Sequence, residues 1–94
     1  MATFLMVGKY SSGALKQMSA ERTDKTFSLI KNLGGEVKAM YALLGEKDLA
    51  FVVDLPGIEQ AMKASIALNK STGITFTTFP AVTVEDFDKM MGDV

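Results

Sequence analysis

Hydrophobic positions along the chain fall into four short runs and three segments of helical period. Residues 3–10 (TFLMVGKY) have the length and the β-branched and aromatic content of a strand. Apolar side chains fall on both of its faces, Phe4 and Met6 on one, Leu5 and Val7 on the other. Both faces of this strand therefore need cover. After a turn-like stretch at Ser11, Ser12 and Gly13, a helix is predicted from about Ser19, whose hydroxyl is suited to cap the free amides of a first turn. Its inner stripe reads Thr23, Phe27, Ile30 and Leu33. Glu21, Arg22, Lys25, Ser28 and Lys31 fall mainly outside that stripe, so Arg22 reads as a solvated charge in the first turn. Gly34 and Gly35 read as the helix stop, because glycine accepts the left-handed conformation that closes a helix.

Residues 36–44 (EVKAMYALL) and 48–54 (DLAFVVD) read as two strands joined at Gly45, Glu46 and Lys47, a length suited to a hairpin. Pairing Gly45 with Asp48 would set Tyr41 opposite Val52 and Met40 opposite Val53. The second strand is nearly continuous in apolar residues, as a central strand covered on both sides would be. Pro56 and Gly57 open the next helix, with Ile58, Ala61, Met62, Ser65, Leu68 and Asn69 on one face and Glu59, Lys63 and Lys70 on the other. Gly73 ends it. Residues 74–79 (ITFTTF) form a last strand. Thr83 then caps a short final helix, with Asp86 at the capping-box position and Val82 and Phe87 spaced as a hydrophobic staple. Leu29 and Ile66 fall off the inner stripes.

The order strand, helix, strand, strand, helix, strand is that of the ferredoxin-like split βαβ motif: an α+β fold with a four-stranded antiparallel sheet and two helices on one face. Two helices cover one face only. The opposite face would carry Leu5 and Val7, or Phe4 and Met6, into water together with one face of strand 49–53, a large apolar patch for a monomer. Pairing two sheets face to face removes the patch, and a two-fold dimer is the commonest way to do so. A homodimer or higher homo-oligomer, a dimeric α/β barrel, is therefore expected.

Composition narrows the chemistry. At 94 residues the expectation is one domain spanning 1–94, and 48% hydrophobic against 22% charged residues is the balance of a folding chain. Ten Lys and Arg against eleven Asp and Glu, with no basic run, argue against a nucleic-acid partner. The absence of Cys and His removes disulfides, thiolate nucleophiles, imidazole bases and the usual ligands of structural zinc. No cofactor and no metal are expected; Glu85, Asp86 and Asp88 sit at a helix start, where acids favour the dipole, without calcium-loop spacing. The N-terminus lacks a signal-peptide pattern and no apolar run reaches membrane-spanning length, which points to a cytoplasmic protein with no membrane association. The seven Met residues are expected mainly in the core.

The run GGEVKAMYALLGEKDLAFVVDLP, preceded by GKYSSGALK and Glu21-Arg22, resembles the GYD domain family of small bacterial and archaeal proteins over nearly the whole chain. That family takes its name from a Gly-x-Tyr-Asp signature at the hairpin. The matching residues here are Gly45, Glu46, Lys47 and Asp48, so Lys47 stands where the family has Tyr. Pro56-Gly57 likewise replaces the family's Pro-Asp before the second helix, while the first loop and the Thr-rich last strand match. The resemblance implies a ferredoxin-like, dimeric α/β barrel and specifies no reaction.

In this topology the end of the first strand, the hairpin and the start of the last strand lie at one end of the sheet, which gathers Lys9, Tyr10, Asp48 and Thr75, with Tyr41 nearby. Asp48 beside Lys and Tyr is the candidate base, or one of a set of polar groups that bind a ligand. The plainer reading has Asp48 capping the hairpin in an exposed ion pair with Lys9, worth about 0–1 kcal/mol. Three functions follow: a small regulatory or accessory protein binding a small polar or aromatic ligand through Lys9, Tyr10, Tyr41, Asp48 and Thr75; a cofactor-independent monooxygenase or isomerase, by fold analogy, with Asp48 as base and Tyr10 or Lys9 as electrophilic partner; or a structural assembly module.

Overall fold

The computed structural model describes residues 1–16, 19–92 and 94, the side chain of Lys16 aside. The elements run β1 (Ala2–Tyr10), α1 (Ser12–Lys16), α2 (Ala20–Asn32), β2 (Glu36–Ala42), β3 (Leu49–Leu55), α3 (Ile58–Thr72), β4 (Ile74–Ala81) and α4 (Val84–Met91). One antiparallel sheet has the order β2-β3-β1-β4, so β1 and β3 are central and β2 and β4 are edges. This is the ferredoxin-like arrangement. The turn-like stretch after β1 is a short helix, α1, whose first amides are held by the Ser11 hydroxyl through Ala14 N–H at 3.0 Å.

The alternation of β1 sorts the interior. Phe4, Met6 and Gly8 face the helices and are buried, while Leu5 and Val7 face the other way and are half-buried. Phe4 and Met6 join Phe51, Val53 and Leu55 of β3, Ile30 of α2 and Ala61, Ala64 and Leu68 of α3 in one core. Full burial of a side chain the size of Met6, Ile30 or Leu55 is worth roughly 1.5–3 kcal/mol. On the opposite face the register sets Ala39, Val52, Leu5 and Phe79 side by side across all four strands. That row carries no polar side chain, and Phe79 is exposed.

The inner stripe of α2 differs from the sequence expectation by one position. Thr26 and Ile30 are buried and Leu29 packs on the core, whereas Thr23 and Phe27 are exposed. One residue is about 100° of helix rotation, and burying Leu29 with Ile30 leaves Phe27 outside. In α3 the buried residues are Ala61, Ala64, Leu68 and Thr72, while Ile58 and Met62 are exposed rather than inside. Small residues on the inner face let α3 lie close to the sheet, and the Ser65 hydroxyl bonds Thr78 Oγ1 of β4 at 2.6 Å. The Met expectation holds for Met6 and Met40; Met1, Met62, Met90 and Met91 are exposed, and Met18 lies outside the described residues.

The hairpin is also wider than the spacing suggested. Leu43 N–H donates to the Asp48 carbonyl, and Tyr41 lies opposite Ala50 and Met40 opposite Phe51. The two-residue shift leaves residues 39–42 on their original faces, because strand side chains alternate with period two. A bulge at Lys38 separates Val37, which faces the core, from Ala39, which faces outward. Lys38 then reaches Glu36 and Asp54 at 3.7 and 3.8 Å. Thr83 caps α4 as expected, its hydroxyl accepting from Asp86 N–H at 3.0 Å. No residue of α4 is buried, so Val84, Phe87, Met90 and Met91 present an apolar side to solvent; Val82 and Phe87 are exposed too.

The glycine pair after α2 serves two purposes. Gly34 takes a left-handed conformation, φ 84°. Gly35 instead lies against β3, where a Cβ would sit inside van der Waals contact with the Asp54 carbonyl oxygen and the Leu55 side chain. Gly35→Ala is expected to lower the unfolding free energy by at least about 2 kcal/mol, because backbone must move to make room; urea denaturation measures it.

Candidate functional site

The end of β1 is fastened by side chains where the strand ladder stops. Pairing of β1 with β3 ends at Gly8 and Leu49, but β1 continues beside β4 to Tyr10. The Tyr10 amide therefore has no strand partner on the β3 side. Asp48 supplies one: its Oδ2 accepts from Tyr10 N–H at 2.8 Å, while Asp48 N–H donates to the Gly8 carbonyl at 2.9 Å. A partly buried amide must find an acceptor or lose the stabilisation of one. The aspartate of the hairpin motif thus acts here as a clamp.

Lys9 does not pair with Asp48. Its Nζ donates to the Glu46 carbonyl at 3.0 Å, tying the hairpin loop to β1 from the other side. Neighbouring strand residues point to opposite faces, so Lys9 and its partner Thr75 turn away from the helices while Tyr10 and its partner Ile74 turn toward them. Thr75 is held by Asn69 Nδ2 of α3 at 3.3 Å. Of the five candidate residues, the fold places Lys9, Tyr10, Asp48 and Thr75 at one end of the sheet but divides them between its faces.

A cavity of about 170 Å³ opens on the helix face of that end. Met40, Tyr41 and Ala42 of β2, Leu49 and Phe51 of β3, Tyr10 and Ile74 form its sheet side; Arg22, Thr23 and Thr26 of α2 form the other. Tyr10 and Tyr41 therefore border it, Tyr41 through its backbone, since its side chain shares a row with Ala50 and Val7 on the other face of the sheet; Lys9, Asp48 and Thr75 do not. Asp48 bears on it indirectly, by fixing the backbone of Tyr10.

Arg22 is the cavity-lining residue that the helix stripe read from sequence places in solvent. Ser19 caps α2 through Arg22 N–H at 3.2 Å, which fixes where the side chain leaves the first turn. From there it is half-buried, donates from Nη1 to the Ala14 carbonyl of α1, and lies over the Tyr10 ring with 5.1 Å from Cζ to the ring centre. Thr26, one turn on, donates its hydroxyl to the Arg22 carbonyl at 3.0 Å. The signal was the stripe itself: a face containing Ile30 and Leu29 also contains Thr26 and Arg22, at spacings of three and four residues. Among the described residues no carboxylate lies within ion-pair distance of the guanidinium.

Chemically, the lining combines an apolar floor with one guanidinium and one phenol, that of Tyr10. That set can hold and orient a small molecule. No group of three or more potential metal ligands occurs among the described residues, and none of their helices is long and apolar enough to cross a membrane.

Strand order and helix placement define a ferredoxin-like α+β domain with an open cavity between α2 and the sheet. The chain belongs to the GYD domain family, which matches residues 4–91. No curated sequence matches the chain. The crystal structure of the leucine response regulatory protein LrpA of Mycobacterium tuberculosis has a similar fold, with a TM-score of 0.57 and 8% identity, over 87% of this chain and 51% of that one. The chain thus spans about half the length of LrpA, and at this identity the likeness is one of fold.

The clamp makes a specific prediction. Asp48→Ala removes the acceptor of the Tyr10 amide and is expected to cost about 1–2 kcal/mol, whereas Asp48→Asn keeps an acceptor oxygen and costs less. Denaturant titration gives the energies. Hydrogen exchange at the Tyr10 amide should accelerate in the alanine variant and far less in the asparagine variant.

Proposed function

We propose that this GYD protein is a small ligand-binding protein with a regulatory or accessory role, working as a homodimer, and that its ligand is small and polar or aromatic. The observation that carries the reading is the cavity between α2 and the sheet: apolar below, polar at its mouth, and open on one side. Ligand sites are concave and mostly apolar, with a few placed polar groups. This cavity has that composition on a small scale. Tyr10 touches the ligand in this reading, Tyr41 borders it only through its backbone, and Asp48 serves by holding Tyr10. A fold shared with part of a leucine response regulatory protein is in keeping with a sensing role. Binding is favoured over turnover because Asp48, the candidate base, is turned to the Tyr10 amide rather than to the cavity.

Self-association is supported by the outward row Ala39, Val52, Leu5 and Phe79 and by the apolar side of α4. Burial of such surfaces stabilises at about 25 cal/mol per Å². Two sheets meeting on these rows would bury both at once, and an isologous contact places identical patches together.

Two measurements test the proposal. Light scattering at micromolar concentration is expected to give twice the mass of one chain, and Leu5→Lys, which sets a charge in the outward row, is expected to give a monomer. A thermal-shift screen of small metabolites is expected to yield stabilising compounds that are recovered unchanged. Conversion of such a compound by the native protein, with loss of conversion in Asp48→Asn, would replace binding with catalysis.

A further inference from the structure

The electrostatics of the cavity narrow its ligand. We propose that it takes a small organic monoanion, a carboxylic acid bearing one ring or one branched alkyl group, with Arg22 holding the carboxylate at the mouth. Met40, Leu49, Phe51 and Ile74 would surround the apolar body. The inference rests on the ligand-binding reading above and makes it specific.

Arg22 offers five N–H donors in a planar fork. One donor is committed to the Ala14 carbonyl and one face of the guanidinium to the Tyr10 ring. Among the described residues no other side-chain hydrogen bond or ion pair takes the remaining edge, which is open to an acceptor. A half-buried cation without a counter-ion is incompletely solvated, and a carboxylate restores the missing interaction with two parallel charge-assisted hydrogen bonds. The contacts that already hold the guanidinium also hold its geometry, so little side-chain freedom remains to be lost on binding.

Charge and size then exclude the other classes. Among the described residues Arg22 is the one cation that lines the cavity, and the nearby Lys9 ammonium lies on the opposite face of the sheet, bonded to Glu46. A phosphate ester, with nearly two negative charges, would be left under-compensated. An amine would meet Arg22 as a like charge. The volume of about 170 Å³ compares with the roughly 150 Å³ apolar cavity that accommodates benzene. One ring therefore fits, with its acid group toward the opening.

Benzoate, benzamide and benzylamine share a ring and differ in charge, which makes them suitable probes. Amide-shift titration of the intact protein is expected to show benzoate binding with shifts at Tyr10, Thr26 and Phe51. Benzamide should bind roughly ten- to a hundredfold more weakly, and benzylamine more weakly still. Arg22→Gln should reduce benzoate affinity to that of benzamide, and Arg22→Lys should retain part of it. Loss of the Ala14 contact in those variants could loosen α1, so Ala42→Phe gives a second test: it fills the cavity without removing any side-chain hydrogen bond and should block benzoate. Equal binding of benzoate and benzamide, both blocked by Ala42→Phe, would overturn the anion inference and leave the cavity as a ligand site. Failure of all three probes, or binding indifferent to Ala42→Phe, would overturn both.

Discussion

The alternation of β1 is the constraint on which the other elements depend. As a central strand it must satisfy β3 on one edge and β4 on the other, and it carries apolar side chains on both faces. Phe4 and Met6 draw α2 and α3 onto one face and make the core there. Leu5 and Val7 then stand on the other face, in rows shared with Val52, Ala50 and Phe79. A split βαβ chain has two crossover helices and both lie on one side, so the opposite face is left for another surface. That geometric shortage, rather than any single residue, is what points toward a second copy.

The same strand organises the site through its last two residues. Beyond Gly8 the β3 ladder ends, and the chain finishes the strand with side-chain bonds: Asp48 to the Tyr10 amide and Lys9 to the Glu46 carbonyl. These two contacts hold the hairpin from opposite faces. They fix Tyr10 beneath Arg22, and Arg22 in turn ties α1 to α2 through Ala14. Stability and site geometry are therefore one network, in which the aspartate of the hairpin motif acts two contacts away from the cavity. Its position in a sequence motif marks it as important without saying that it touches a ligand.

Much of this was legible in the linear chain, and where it was not the cause is identifiable. Element order, the αL glycine after α2, the Ser19 and Thr83 caps and the membership of Asp48 in the β1 end all follow from local rules, since each depends on residues close in sequence or on strand order. The stripe of α2 was misjudged because Phe27 is the more hydrophobic residue, whereas the helix turns to bury Leu29 beside Ile30. That single rotation carried Arg22 from solvent to the cavity. The hairpin register differs by two residues because the turn closes through Leu43 and Asp48, and the bulge at Lys38 shifts residues 36 and 37 once more; both are settled by pairing across strands.

By itself the sequence determined the class of fold, the two-sided character of the sheet, and a chemistry without thiols or imidazoles, because periodicity and composition are properties of the chain alone. Only the tertiary structure decided which of the gathered polar residues share a face. Lys9 and Tyr10 are neighbours in the chain and opposites in the sheet, while Tyr10 and Arg22 are twelve positions apart and stacked. Strand alternation separates the first pair and helix packing joins the second, and both depend on how an element is rotated against its neighbours, which its own residues do not specify.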